Sequence, residues 1–223
     1  MSRPLVIAID GPSGAGKSTA GRALAARLGY VFVDTGAMYR ALAWKALRAH
    51  IPLEDGDALA RLAHATRIDL MDGGRGVSID GEDATAAIRT REVSAAASRV
   101  SVHPAVRREM VARQREMGER GGIVLDGRDI GTAVFPTADV KFYVDADPGR
   151  RARRRAQELG AAGSPFDLAA IERDIRDRDH ADMTRRDSPL TRAPDAIHVD
   201  TTDLTPEQVV EGMLAAVASK QPA

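Results

Sequence analysis

The chain of 223 residues has no cysteine, no asparagine, only four lysines and 4% aromatic residues. Without cysteine it can form neither disulfides nor thiolate metal sites. Without asparagine it lacks the Asn-Lys-x-Asp loop that reads guanine. So few aromatics leave little to build a base-stacking platform for single-stranded nucleic acid. Acidic and basic residues balance at 32 each, so no net field draws the molecule to nucleic acid or to a membrane. No apolar run is long enough to span a bilayer, and the chain enters its first strand without a charged-then-apolar leader. These absences lead us to expect a soluble cytoplasmic protein with no nucleic-acid and no membrane partner. The basic residues, by contrast, are nearly all arginine, whose rigid fork suits bidentate contacts to phosphate and carboxylate.

Short continuous apolar runs, "PLVIAID" (Pro4 to Asp10) and "YVFVDTG", have the composition of strands buried on both faces. "KSTAGRALAARLG" and "AMYRALAWKALRAH" carry helical spacing, the first with Gly29 as a stop. "HPAVRREMVARQREMGER" is a helix with Pro104 at a favoured first-turn position. "GIVLDGRD", "DVKFYVDAD" and "AIHVDTTDLTPEQVVEGMLAAV" supply further strand-then-loop units. Alternating strands and helices predict an α/β fold with five parallel strands flanked by helices. "RIDLMDGGRGVSIDGEDA" breaks that pattern and predicts a small antiparallel hairpin inserted near residues 66–88. A single domain is expected, with its core at about 1–60, 100–148 and 187–223, an insert at about 61–99 and a helical lid at about 149–186. Ligands of such sheets sit beyond the carboxyl ends of the strands.

The loop after the first strand, Gly11-Pro12-Ser13-Gly14-Ala15-Gly16-Lys17-Ser18, followed by Thr19, satisfies G-x-x-x-x-G-K-[ST] in full. Its glycines let backbone N–H groups turn inward onto an anion at the start of a helix. Lys17 then reaches the β- and γ-phosphates of ATP, and Ser18 offers its hydroxyl to Mg²⁺. A kinase needs a second anion site facing this loop. "DTGAMYR" offers one, with the Thr35 hydroxyl, the Tyr39 phenol and the Arg40 guanidinium spaced to converge. In "LDGRDIG", Asp126 ends an apolar run where a carboxylate can hold Mg²⁺ through water, and Arg128 and Asp129 project just beyond.

"DPGRRARRRAQELGAAGSPF" packs Arg150, Arg151, Arg153, Arg154 and Arg155 into two helical turns, with Gly160 and Gly163 at a helix–helix tip. Such a segment could bind nucleic acid or act as a mobile lid over a triphosphate. The zero net charge favours the lid. In "IERDIRDRDHADMTRRDSPL", positions 171, 175, 178, 182 and 185 fall on one helical stripe that turns from apolar to charged. That stripe predicts a helix leaving the core and entering a cleft.

These residues resemble the bacterial cytidylate kinases, the P-loop nucleoside monophosphate kinases of the enlarged type. The resemblance runs in order through "IDGPSGAGKST", "DTGAMYRALA", "IRTREVSAAASRVSVHPAVR", "LDGRDIGTAVFPTADVKFYVDA", "RDHADMTRRDSPL" and "IHVDTTDLTPEQVV". It implies transfer of the γ-phosphoryl of ATP to CMP or dCMP, with Mg²⁺, by an enzyme expected to be monomeric. Thr35, Tyr39, Arg40 and Arg128 would bind the acceptor phosphate, and Arg185 would join them or approach the base. Ser98, Arg107 and Asp129 would read cytosine, and Arg178 and Asp182 the sugar. Lys17, Arg128, Arg185 and the lid residues Arg150 and Arg154 would stabilise the transferring group. A carboxylate can accept from the cytosine amine, whereas uracil presents an acceptor there. An unpaired buried polar group costs about 1–3 kcal/mol, which places CMP and dCMP ahead of UMP. A kinase for UMP or dTMP, and a nucleic-acid-dependent ATPase, are the competing expectations.

Overall fold

The computed structural model describes residues 3–161 and 166–220, so Gly163 of the expected lid tip lies outside the described residues. The chain runs β1 (Val6–Asp10), α1 (Lys17–Leu28), β2 (Val31–Asp34), α2 (Thr35–Arg48) and α3 (Gly56–Ala65). Three short strands follow, β3 (Ile68–Met71), β4 (Gly76–Ile79) and β5 (Glu82–Asp83), then α4 (Arg91–Val100) and α5 (Pro104–Gly118). The last part is β6 (Ile123–Gly127), a π-helical turn (Ile130–Val134), β7 (Val140–Asp145), α6 (Pro148–Ala161), α7 (Leu168–Thr184), β8 (Ile197–Asp200) and α8 (Pro206–Ala218).

The large sheet has five strands in the order β2-β6-β1-β7-β8, all parallel. Side chains alternate across its faces. On β1, Val6 and Ala8 join the core beneath α2, α3, α4 and α5, while Ile7 and Ile9 join the core beneath α1 and α8. Burial on both faces is what makes "VIAID" a continuous apolar run. β2 departs from the expectation at one end: Val31 is 62% exposed, because β2 is the edge of the sheet. Gly29 closes α1 in the left-handed region (φ 68°), and Pro104 opens α5.

The insert is a three-stranded antiparallel sheet rather than a hairpin. Asp80 and Gly81 both have positive φ (53° and 89°), the tight turn that returns the chain as β5. The described part of the segment expected to be a lid forms two helices, α6 and α7. Arg185 departs from the expected stripe: α7 ends at Thr184, and Arg185 is the C-terminal cap with extended ψ (144°). The cap swings its side chain into the cleft, where it is buried.

Parallel strands deliver all their carboxyl ends to one edge of the sheet, and the central pair must pass close there. Gly11 shows how close: a Cβ on it would lie 1.9 Å from the carbonyl oxygen of Val144 on β7, and its φ is 146°. Both facts require glycine. Gly11→Ala is expected to lower stability by about 2 kcal/mol or more in chemical denaturation. Unchanged stability would contradict the tight approach of β1 and β7.

Candidate active site

The phosphate loop wraps from the end of β1 to the start of α1. Gly14 and Gly16 take positive φ (76° and 90°), which a side chain would strain, and Lys17 opens the helix. The Lys17 ammonium is buried and donates to the carbonyl of Pro12, 2.7 Å away, so it closes the loop on itself. The Ser18 hydroxyl donates to Asp126 Oδ2 at 2.5 Å. Asp126 Oδ1 is buried and has no hydrogen-bond partner among the described residues. Arg151, counted in the sequence only as one of a cluster, braces the loop from behind. It donates to the carbonyls of Ser13 (3.0 Å) and Ala146 (2.9 Å) and pairs with Asp179 of α7 at 2.6 Å.

A cavity of about 180 Å³ opens in front of the loop. It is lined by Ser13, Gly14, Lys17 and Ser18 on one side and by Thr35, Tyr39, Arg40, Ser98, Arg107, Arg128, Asp129, Arg178, Asp182 and Arg185 around the rest, with Asp126 between. Five separate stretches of sequence thus meet in one cleft. Thr35 spends its hydroxyl hydrogen on the carbonyl of Asp126 (2.7 Å), tying the start of α2 to β6. Arg40 pairs with Asp34 (2.9 Å), and Asp34 also caps α2 by accepting from the N–H of Ala37. Asp34 lines the cavity and was not picked out from the sequence; its position before Gly36-Ala37 is the N-cap signal that could have found it. Among the described residues the Ser98 hydroxyl donates to Ser94 O at 3.4 Å, one turn back in α4.

At the far end, Asp129 is a buried carboxylate between two arginines. Arg107 donates to its Oδ2, and Arg185 stands 3.4 Å from its Oδ1. Among the described residues Arg185 Nη2 is buried with no hydrogen-bond partner, although Nε donates to Ser188 O. Arg128 donates to Asp182 Oδ2 at 2.7 Å. Arg178 makes no ion pair or hydrogen bond among the described residues. Burial and the neighbouring Arg128 push its pKa down, and burial and Arg107 do the same to Arg185. Crowded, dehydrated guanidinium groups of this kind favour an anion among them.

Arg150 and Arg154 do not reach this cavity. Arg150 donates to Thr202 O (2.9 Å), and Arg154 holds Thr201 through Oγ1 (3.1 Å) and O (2.5 Å). Here the loop after β8, not the transferring group, receives them. The loop's carbonyls lie beside the first turns of α6 and satisfy both forks. Arg155 pairs with Glu158 on the surface.

A phosphate loop at the carboxyl edge of a parallel sheet, with a second cation-lined wall facing it, places the chain in the class of P-loop kinases. The fold agrees with that of a gluconokinase from Sinorhizobium meliloti, with a TM-score of 0.51 and 15% identity over 98% of this chain and 94% of that one. The family model described as Cytidylate kinase matches residues 7–219. A cytidylate kinase of Symbiobacterium thermophilum is 52% identical over 96% of both chains. Another from Solibacter usitatus is 50% identical over 97% of this chain and 93% of that one. The chain belongs to the cytidylate kinase family.

Burial pushes Asp126 up to about 7, with Asp34 adding to it, and pushes Asp10 up to about 6. Between the ordinary 3.8 of an unfolded carboxyl and these raised values, each group binds more proton in the folded protein than in the unfolded chain, and above them the carboxylate forms prevail. That contribution to stability grows as the pH falls below about 7 and is lost as the pH rises through the folded values. Lys17, pushed down to about 7 by burial, acts in the opposite sense as the pH approaches and passes that value, and offsets only a small part of the carboxyl effect below it. Without nucleotide, the melting temperature is expected to be about 5 °C higher at pH 5.5 than at pH 7. Asp126→Asn should shrink the difference. A melting temperature that falls on acidification over this window would contradict the assignment.

Proposed function

We propose that this chain transfers the γ-phosphoryl group of ATP to CMP or dCMP, releasing ADP and CDP or dCDP. The observation that carries the reading is the single cleft. Lys17 and Ser18 stand on one wall and the Asp129–Arg107–Arg185 cluster at the other end, with Arg40, Arg128 and Arg178 between them. The loop Gly11–Thr19 binds the triphosphate through backbone N–H groups and Lys17. Thr35, Tyr39, Arg40, Arg128 and Arg185 take the acceptor phosphate. Arg178 and Asp182 take the sugar.

Cytosine reading falls to Ser98, Arg107 and Asp129. Asp129 accepts from the exocyclic amine, and Arg107, anchored by Asp129, turns toward the ring acceptors. The phenol of Tyr39, pushed up to about 12 by burial, stays a neutral donor. The acceptor phosphate is already ionised near neutral pH, so its oxygen attacks the γ-phosphorus without a catalytic base. The γ-phosphorus–bridging oxygen bond breaks, and the electron pair leaves on ADP. Catalysis consists of aligning two polyanions and neutralising charge as it shifts.

The buried, unpartnered Oδ1 of Asp126 beside the Ser18 hydroxyl fits a hydrated Mg²⁺. No three His, Asp, Glu or Cys side chains converge to cage a metal among the described residues, so phosphate oxygens and water would complete its shell. When bound, Mg²⁺ supplies further neutralisation of the β- and γ-phosphate oxygens. Residues 61–99 act as the acceptor-side insert. Residues 149–186 act as a lid, in which closure frees Arg150 and Arg154 from the loop after β8 and brings them to the phosphates. The balanced charge of the chain favours the absence of a nucleic-acid or membrane partner, and we take the enzyme to be a cytoplasmic monomer. Among the described residues no helix is long and apolar enough to cross a membrane.

The test is ADP release with Mg-ATP against CMP, dCMP, UMP, AMP, GMP, dTMP and no acceptor. Fast turnover with CMP and dCMP alone is the expected result. Turnover across many monophosphates would leave a kinase and remove the base-reading roles. Acceptor-independent release would leave an ATPase. Lys17→Ala is expected to lower kcat at least about a hundredfold without unfolding the protein. Asp129→Ala should raise the KM for CMP while leaving that for ATP nearly unchanged, and equal losses on both would count against its place at the acceptor base.

A further inference from the structure

Asp10, the last residue of β1, has no role in binding either substrate in the reading above, yet it is buried to 5% exposure at the centre of the sheet edge. Its two carboxylate oxygens each accept one backbone N–H, Oδ1 from Ile130 and Oδ2 from Gly131, both at 2.7 Å. These N–H groups open the short π-helical turn (Ile130–Val134), whose own cap residue, Asp129, makes no side-chain capping bond. Asp10 therefore caps that turn from 120 residues away. The fit is close. A Cβ on Gly131 would stand 3.3 Å from Asp10 Oδ2 and 3.1 Å from Lys141 Cδ, so glycine lets the turn settle onto the carboxylate. Burial pushes the Asp10 carboxyl up to about 6 against the pull of the two N–H donors, with Asp129 adding to the rise. Holding a carboxylate here thus costs free energy that a purely structural apolar residue would not.

We propose that Asp10 is a positioning residue for base selection, clamping the 129–131 turn to the strand that feeds the phosphate loop so that Asp129 meets the acceptor base at a fixed distance from the bound triphosphate. The clamp rests on the proposed reading of Asp129 as the group that accepts from cytosine. Its physical sense lies in rigidity. Asp129 tells cytosine from uracil only if its oxygen cannot move away from the wrong base. Arg107 and Arg185 hold the carboxylate sideways, while Asp10 ties the backbone just after Asp129 to the strand that feeds the phosphate loop.

The experiment compares wild type with Asp10→Asn, measuring kcat and KM for CMP, UMP and ATP. The amide keeps the volume and one acceptor but turns an N–H₂ toward the second N–H. The clamp is expected to loosen, so that the CMP-over-UMP preference in kcat/KM falls at least about tenfold and the KM for CMP rises, with the KM for ATP held within about threefold. An unchanged CMP-over-UMP ratio, or equal losses on CMP and ATP, would overturn the proposal. If the variant fails to fold, hydrogen exchange of the wild-type Ile130 and Gly131 amides decides. Protection that increases with saturating CMP supports the clamp, and exchange at the rate of open loops removes it. A wild type that does not prefer CMP would defeat the functional reading itself, whereas a CMP-specific wild type whose specificity survives Asp10→Asn defeats the clamp alone.

Discussion

All five parallel strands of the large sheet carry an aspartate at or next to their carboxyl end: Asp10, Asp34, Asp126, Asp145 and Asp200. Parallel topology puts these charges along one edge, and each must be answered. Asp200 and Asp145 accept from nearby groups, the first from Thr202 and the second from the N–H of Ala146. Asp34 caps α2 and holds Arg40. Asp10 caps the turn after Asp129, and Asp126 takes the Ser18 hydroxyl with one oxygen left over. Strand ends, loops and helix starts are thus stitched together by carboxylates, and the cleft forms where that stitching stops short.

What fills the deficit is opposite charge. Lys17, Arg40, Arg107, Arg128, Arg178 and Arg185 all line the same cavity. Some are engaged, such as Arg128 with Asp182 and Arg107 with Asp129, and these pairs fix direction. Others are only partly answered, such as Arg178 and Nη2 of Arg185. A half-paired set of this kind is suited to anions: the engaged pairs hold their directions, and the partly answered groups gain most when negative charge arrives. The phosphate loop follows the same logic on a smaller scale, with the Lys17 ammonium resting on its own loop's Pro12 carbonyl.

The parts legible in the sequence were those whose cause is local. A central strand is apolar at every position because both faces are covered, so β1 could be read directly, while the edge strand β2 exposes Val31. The phosphate loop follows from its glycines. Most of the acceptor wall followed from strand-end position and from family resemblance. Legibility failed where a partner lies far along the chain. Nothing near Asp10 announces Ile130, and nothing within "GRRARRR" separates Arg151, buried against Ser13 and Asp179, from Arg150 and Arg154, which face the loop after β8. Arg185 was placed on a helical stripe because helical spacing continues past the point where the helix stops. The short helices α3 and α4 went unread: one lies just before the insert and the other just after its strands, where texture changes every few residues.

The central claim is that one cleft holds both nucleotides at once, triphosphate on Lys17 and cytosine at Asp129. Calorimetry with a single molecule that joins adenosine and cytidine through a chain of five phosphates tests it most directly. The expected result is one molecule bound per chain, displaced by both ATP and CMP, with the uridine counterpart at least about tenfold weaker. Binding displaced by only one of the two nucleotides, or equal affinity for the cytidine and uridine compounds, would contradict it.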